Sequence, residues 1–333
     1  MHEPIRWKNL DNVKWILTIL IVLYHIQYHG KGGNEEAIFT FIKNLGDCVV
    51  PAFALISGFL FWVNVKSFSD VRLKMRRRVY SLLIPYLLWN VINTIYRNVV
   101  NADCINSSIF DINIYNNIIK WDSSPHFWYI FMLMFWTILA PVLWAAYRNR
   151  KVLIVLLISQ TVYLAYMGDG LLHSRFIYIL YTWGGIVGAK VPDFFERIRR
   201  LKFNIKVSVG VVAGITYVGM GIATSMLDIG MQFKVWLYAL RAVALILATV
   251  NLPLLRVGEK TDYRYSFWLF AVHFWLDDFV GRYMVILNVN ALLYQVFTWV
   301  AVVIIGLVSG IILDRMCPKC FDLLTGNRCA NRH

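Results

Sequence analysis

The chain has 333 residues, of which 59% are hydrophobic and 16% charged, and its mean hydropathy is +0.58. This composition excludes an ordinary soluble globular protein and favours one that is embedded in a bilayer. The net charge of +14 would also suit a nucleic-acid-binding protein, but the basic residues form short clusters between apolar runs, as in cytoplasmic loops. We therefore predict an integral, multi-pass membrane protein with no nucleic-acid partner.

Apolar runs of about 17 to 25 residues, long enough to cross a bilayer as an α-helix, recur ten times along the chain. They predict an all-α fold with about ten transmembrane helices. We expect a single membrane domain over residues 1–333 that ends in a short cytoplasmic tail, residues 314–333. The predicted helices cover residues 13–29, 46–65, 79–99, 127–147, 151–167, 174–190, 206–225, 233–252, 264–284 and 291–313.

Lysine and arginine are distributed unevenly over the connections between these helices. If the N-terminus is cytoplasmic, 25 of the 33 basic residues lie on the cytoplasmic side and seven on the outer side, while Arg241 lies within the eighth helix. Cytoplasmic connections of membrane proteins carry an excess of such residues. The distribution therefore predicts that both termini are cytoplasmic and that the first helix runs outwards.

The first predicted helix carries ionisable residues towards both of its ends. Asp11 and Lys14 lie near the start, and His25 follows Lys14 by eleven residues, which is about three turns and roughly 16 Å along one face. Ionisable groups in hydrocarbon are costly and often serve function. His25 could act as a general base or only pack against a neighbouring helix. Lys14 could hold a phosphate or only mark the helix end.

Two further features lie in the second predicted helix and in the segment just before the third. Ser57 and Gly58 are small residues at mid-membrane, which either let two helices approach closely or leave room for a narrow ligand. A basic run ends in three consecutive arginines, Arg76, Arg77 and Arg78. Such a run suits membrane topology and contact with anionic lipid, or, beside Lys14, the phosphates of a nucleotide ligand.

The fourth predicted helix opens with His126 and Trp128 at the outer face. Aromatic residues are common at that interface, so only His126 has a second interpretation, in which it positions a hydroxyl-bearing acceptor.

The ninth predicted helix has His273 near its middle, followed by Asp277 and Asp278. Together with Arg241 in the preceding helix, they favour a structural ion pair or polar network. A lining for a substrate path is the alternative.

The cysteines are too few and too unevenly spaced for a disulfide framework. Near the C-terminus, Cys317, Cys320, Cys329 and His333 formally match a zinc site with three cysteines and one histidine. Because this spacing is loose and the segment is terminal, we predict no metal.

In chain order, these motifs resemble those of the acyltransferase-3 family, integral membrane enzymes whose bacterial members O-acylate cell-surface sugars. The first helix is similar to the family signature Asp-x-x-Arg-x10-His, with Asp11, Lys14 and His25 at the matching positions. Lys14 replaces the signature arginine, which keeps the charge but loses the planar guanidinium. The other matching residues are Pro51, Phe53, Ser57, Gly58, Phe59, Arg77, Pro85, Tyr86, Trp89, His126, Trp128, Pro141, His273, Pro318, Lys319 and the segment 323–326.

The resemblance implies an O-acyltransferase of the bacterial plasma (inner) membrane. Its donor is expected to be a cytoplasmic acyl-CoA, acetyl-CoA in particular, and its acceptor a hydroxyl of a surface polysaccharide or lipid-linked sugar. No metal is expected, the other partner is membrane lipid, and the oligomeric state stays open. In this interpretation His25 is the general base and Asp11 orients Lys14. The donor-binding residues are Lys14, Ser57, Arg76, Arg77 and Arg78, and the acceptor-binding residues are His126, Trp128 and His273.

Two other classes of function fit the same residues. A transporter or flippase of a lipid-linked sugar or small anion would use the polar residues as a pathway and would consume no thioester. A membrane scaffold would only bind partners.

Overall fold

α-Helices account for nearly all of the described chain, which confirms the all-α prediction. The structure, a computed structural model, describes residues 8–26, 40–100, 125–166, 172–226, 231–255, 264–286 and 290–326. The α-helices are α1 (Lys8–His25), α2 (Val49–Trp62), α3 (Phe68–Arg78), α4 (Ile84–Val100), α5 (Trp128–Ile138), α6 (Ala140–Arg148), α7 (Arg150–Tyr166), α8 (Leu172–Lys190), α9 (Phe194–Arg200), α10 (Phe203–Met226), α11 (Met231–Asn251), α12 (Arg264–Ile286), α13 (Ala291–Met316) and α14 (Pro318–Thr325).

Five of the described helical segments are long and apolar enough to cross a membrane. They cover Thr40–Trp62, Phe68–Tyr96, Phe203–Thr224, Phe233–Asn251 and Ala291–Met316, and a bent pair, Pro125–Ile138 with Ala140–Arg148, would make a sixth span. The other predicted segments are also helical where they are described, but α1 carries Lys8, Asp11 and Lys14, and α7 has only 17 residues. The count of ten spans and the cytoplasmic termini therefore stay predictions.

Proline residues alter two of the predicted helices. The predicted helix 127–147 is two helices, α5 and α6, which meet at 58° beside Leu139 because Pro141 has no N–H to donate to the preceding turn. Pro85 also lacks an N–H, but here the preceding residues, Val79–Leu83, form a π-helix and the helical segment continues without a break. The basic run is accordingly not a loop: it belongs to α3, whose N-terminus is capped by Ser67 and Asp70.

The chain forms two compact units. The first comprises Met1–Asn64 and Leu153–Ile311, and the second comprises Val65–Val152 and Ile312–His333. The prediction of one domain over residues 1–333 stays a prediction.

Helix α1 lies inside the first unit and packs against α2, α11 and α12. Leu10, Leu17 and Ile21 contribute to one buried apolar cluster, while Trp15 and Val22 contribute to a second. Apolar residues therefore cover more than one face of the helix, as expected for a helix surrounded by protein. The ionisable residues of α1 are consequently held close to other helices.

Helices α2 and α8 approach each other through glycine residues. A Cβ added at Gly58 would overlap the carbonyl oxygen of Tyr181, and one added at Gly184 would overlap the carbonyl oxygen of Leu55. Gly188, one turn after Gly184, makes a similar contact. Small residues spaced in this way allow close packing of helices in membranes. The close-approach interpretation of Gly58 is therefore confirmed.

Arg241 of α11 is fully buried, and each of its three guanidinium nitrogens donates a hydrogen bond. Its Nη1 lies 2.5 Å from an Asp47 carboxylate oxygen, Nη2 donates to the carbonyl of Asn44 at 2.8 Å, and Nε donates to the carbonyl of Tyr217 at 3.0 Å. The Tyr217 hydroxyl in turn donates to the Leu45 carbonyl. The predicted polar network at Arg241 is thus confirmed, but its acid is Asp47 rather than Asp277 or Asp278.

The C-terminal part of the second unit is helical through Thr325. Helix α14 packs against α4, where the Trp89 indole N–H donates to the Leu324 carbonyl at 3.0 Å. Gly326 ends the helix with φ +78°, a conformation that favours glycine, and its Cα faces the backbone of Ser81. Phe321 is fully buried. Much of the predicted tail is therefore docked on its unit.

Replacing Gly184 by alanine should destabilise the first unit. The added methyl group cannot be accommodated without separating α2 from α8, at a cost of about 1–3 kcal/mol. The readout is the melting temperature in detergent. Gly219→Ala is the matched control, because a Cβ there would have no neighbour within 4 Å. Equal melting temperatures for the two variants would contradict the close contact.

Replacing Arg241 by methionine should cost about 3–5 kcal/mol, because it leaves the Asp47 carboxylate buried without its partner. The free energy of unfolding in mixed micelles measures this effect. Arg282→Met is the control, since the Arg282–Asp278 pair is exposed and a surface pair contributes at most about 1 kcal/mol. The double variant Arg241→Met/Asp47→Leu should recover part of the loss, and no recovery would argue against the ion pair as the cause.

Candidate active site

Two predicted site residues from distant parts of the chain meet in the first unit. His25, at the end of α1, and His273, in the middle of α12, have ring centroids 5.3 Å apart with an interplanar angle of 41°. His25 is half-buried, whereas His273 is fully buried. Their proximity follows from the packing of α1 against α12. We call His25 and His273 the histidine pair.

The hydrogen bond of His273 defines the state of its ring. Nδ1 lies 2.6 Å from the carbonyl oxygen of Phe270. Since a carbonyl oxygen only accepts hydrogen bonds, Nδ1 must carry a proton. In the neutral ring Nε2 is then an acceptor. The backbone of α12 thus sets both the tautomer and the orientation of His273.

Aromatic rings surround the histidine pair. Phe274 contacts both members, with centroid distances of 4.7 Å to His25 and 4.8 Å to His273. Tyr24 packs edge-on against His25 at 5.2 Å, and the Lys43 ammonium lies 5.7 Å from the Tyr24 ring centroid. A half-buried imidazole fixed by rings on several sides has few orientations open to it, which suits a group that must meet a substrate at one angle.

Asp11 and Lys14 form an ion pair at the other end of α1. The Lys14 ammonium lies 3.1 Å from an Asp11 carboxylate oxygen, and both side chains are largely shielded from solvent. This geometry is the one expected if Asp11 orients Lys14. Lys14 and His25 nevertheless remain at opposite ends of the helix.

Of the two aspartates that follow His273, Asp278 forms an exposed ion pair with Arg282 at 2.8 Å. Asp277 lies one helical turn after His273. The expected pairing of either aspartate with Arg241 is wrong, because the Arg241 guanidinium is taken up by Asp47 and backbone carbonyls.

Ser57 lies in α2, beside the glycine contacts with α8, and is half-buried. It belongs to the same unit as the histidine pair. Its assignment to donor binding stays a prediction.

The remaining predicted site residues belong to the second unit. Arg76, Arg77 and Arg78 form the last turn of α3, where the first two are exposed and the third is half-buried. His126 lies in a short 3₁₀-helix, Pro125–Phe127, and is buried against Phe127 with their rings 4.6 Å apart. Trp128 begins α5 and is half-buried. Their assigned roles stay predictions.

Two side chains that hold α1 in place were not among the predicted site residues. Asn12 is buried on α1, and its amide donates to the carbonyl of Leu255 at 2.7 Å. Trp299 of α13 donates from its indole to the carbonyl of Ile19 at 2.9 Å. An amide beside two charged residues at the start of an apolar helix was a signal for Asn12, but nothing in the sequence distinguished Trp299 from other interfacial tryptophans.

No three histidine, cysteine, aspartate or glutamate side chains gather into a possible metal site within the described ranges. Cys329 and His333, which the formal zinc pattern requires, lie outside those ranges.

Residues 7–313 match the sequence profile of the acyltransferase-3 family, described as an acyltransferase domain. No curated protein and no solved structure matches the chain. The match covers nearly the whole length, and the apolar helices agree with the membrane location of such enzymes. The chain therefore belongs to the acyltransferase-3 family, which indicates an integral membrane acyltransferase that uses an acyl donor.

Proposed function

We propose that the protein is an O-acyltransferase, specifically an O-acetyltransferase, of the bacterial plasma membrane. It transfers the acyl group of a cytoplasmic acyl-CoA, acetyl-CoA, to a hydroxyl of a surface polysaccharide or lipid-linked sugar. The observation that carries the proposal is the histidine pair in a chain of this family, because acyl transfer to a hydroxyl needs a group that removes the hydroxyl proton.

His25 is the general base of the proposed reaction. It accepts the proton of the acceptor hydroxyl while the hydroxyl oxygen attacks the carbonyl carbon of the thioester. The carbon–sulfur bond then breaks, the acyl group remains on the acceptor as an ester, and the proton passes from His25 to the departing thiolate. His25 suits this role better than His273, because His25 is only half-buried.

His273 and Phe274 position the reacting groups. Neutral His273 donates its Nδ1 proton to the Phe270 carbonyl and keeps Nε2 as an acceptor nitrogen, and as a member of the histidine pair it is assigned to acceptor binding. Phe274 packs against both rings and limits their rotation.

The donor phosphates are assigned to Lys14 and the three arginines at the end of α3. Lys14 is oriented by Asp11 and lies at the end of α1 opposite to His25. The arginines present consecutive charges in the last turn of their helix. Ser57 contributes to the path of the donor, and His126 and Trp128 contribute to acceptor binding.

The proposal is tested by the release of free thiol when the purified protein is mixed with acetyl-CoA and candidate glycan acceptors. His25→Ala should lower kcat by about 10²–10⁴-fold, the usual contribution of a general base. A well-folded His25→Ala variant with wild-type turnover would remove His25 from its role. Movement of a sugar lipid without any thiol release would instead identify a transporter.

The variant His273→Asn tests, in the same assay, whether His273 binds the acceptor or acts as a base. The asparagine amide can replace Nδ1–H as donor to the Phe270 carbonyl, but the acceptor nitrogen at Nε2 is lost. We expect the KM for the acceptor to rise about tenfold, the value of one hydrogen bond, with a smaller change in kcat. A fall in kcat as large as that of His25→Ala would make His273 a base in its own right.

Removing the proposed donor charges should weaken CoA binding. Lys14→Ala, and separately the triple change of Arg76, Arg77 and Arg78 to glutamate, should each raise the Kd for CoA about tenfold or more, because charged hydrogen bonds to phosphate are lost. Isothermal titration calorimetry measures the Kd.

The matched control reverses three arginines of α9, Arg197, Arg199 and Arg200, which are exposed and form ion pairs with Asp193 and Glu196. This variant changes the net charge by the same amount as the triple change in α3. Because α9 has no part in the proposed donor site, the Kd for CoA should stay unchanged. If the two triple variants raised the Kd equally, the effect would be one of net charge, and the assignment of CoA binding to the arginines of α3 would be wrong.

A further inference from the structure

Two cysteines lie together where α14 begins, and the proposed acyl transfer uses neither of them. Cys317 directly precedes the first residue of α14, and Cys320 lies in its first turn. Both are free thiols, with Cys317 half-buried and Cys320 exposed. Cys48, by contrast, is completely buried. The two thiols of α14 are therefore accessible to small molecules.

The cysteine pair is held in place by the docking of α14 within the second unit. Phe321, next to Cys320, is fully buried, and so is Thr325. The Trp89 indole binds the Leu324 carbonyl at 3.0 Å, and Gly326 closes the helix against Ser81. Because residues 321–326 are docked in this way, the two cysteines lie at the start of a helix that is anchored on its unit.

The thiols differ in acidity. The hydrogen bond from the Cys320 thiol lowers the pKa of Cys317, to which the nearby Lys319 ammonium also contributes. The same hydrogen bond raises the pKa of Cys320. In a dithiol with one more acidic and one less acidic member, the more acidic thiol is the preferred nucleophile and the other can act as the resolving thiol.

We propose that Cys317 and Cys320 form a reversible redox pair that exchanges with small disulfides of the glutathione class. Two thiols separated by two residues, with the first at the start of a helix, have the spacing of dithiols that close into an intramolecular disulfide. This site goes beyond the acyltransferase chemistry and does not depend on it.

The exchange takes place in two balanced steps. The Cys317 thiolate attacks one sulfur of the small disulfide, which forms a mixed disulfide and releases one small thiolate. The Cys320 thiol loses its proton and attacks the Cys317 sulfur, which closes the Cys317–Cys320 disulfide and releases the second small thiolate. The protein is oxidised by two electrons, and one small disulfide is reduced to two thiols.

The test uses the full-length protein in detergent, treated with oxidised glutathione, alkylated and digested with trypsin. Cleavage after Arg315, Lys319 and Arg328 places the two cysteines on separate peptides, 316–319 and 320–328. We expect mass spectrometry to find these two peptides joined, and dithiothreitol to separate them. Linkage of 316–319 to 329–332, which carries Cys329, or the absence of any linked peptide, would overturn the proposal.

Single variants test the order of the two steps without unfolding the chain. Cys320→Ser should trap glutathione on Cys317. Cys317→Ser removes the preferred nucleophile, so glutathione should attach to Cys320 of this variant about tenfold more slowly than to Cys317 of Cys320→Ser. Cys48 serves as an internal control that stays unmodified. Faster attachment at Cys320 than at Cys317 would contradict the assigned nucleophile.

Discussion

The buried ion pair between Arg241 and Asp47 is the interaction on which the first unit depends. A guanidinium without solvent is tolerable only when its donors are satisfied, so Arg241 requires Asp47, the Asn44 carbonyl and the Tyr217 carbonyl at once. Meeting all of them fixes α11 relative to α10 and to the turn that leads into α2. Helices α2 and α11 both pack against α1, so this network also helps to determine the surroundings of His25.

Enclosure by protein explains how α1 can carry Asp11, Lys14 and His25 in one apolar helix. Facing lipid, each would incur the cost of an ionisable group in hydrocarbon. Inside the unit, Asp11 and Lys14 neutralise each other, and His25 packs against His273 and Phe274. The ionisable residues of the site are thereby separated into a charged end and an aromatic end, which matches the division between donor phosphates and acyl transfer in the proposed function.

Contacts between near neighbours in the chain agree with helical spacing. The Asp11–Lys14 pair is three residues apart on one helix, and Cys317 and Cys320 have the same separation. Contacts across the chain did not follow. Arg241 was expected to pair with an aspartate of the next helix, yet its partner precedes it by 194 residues, because two helices adjacent in sequence need not present their charged residues to each other. The bend at Pro141 was also not predicted, because the helix 127–147 was inferred from hydropathy, which carries no information about a lost backbone hydrogen bond.

The sequence by itself determined that the chain is helical and apolar, where most helices lie, and that Asp11, Lys14 and His25 share one of them. Hydropathy and helical periodicity are local properties, so they need no knowledge of the fold. Only the tertiary structure decided that His273 is the neighbour of His25, that Asp47 is the partner of Arg241, and that α14 is docked rather than a loose tail. These contacts depend on how helices far apart in the sequence pack together, and packing is set by the shapes and polar groups of all the surfaces involved.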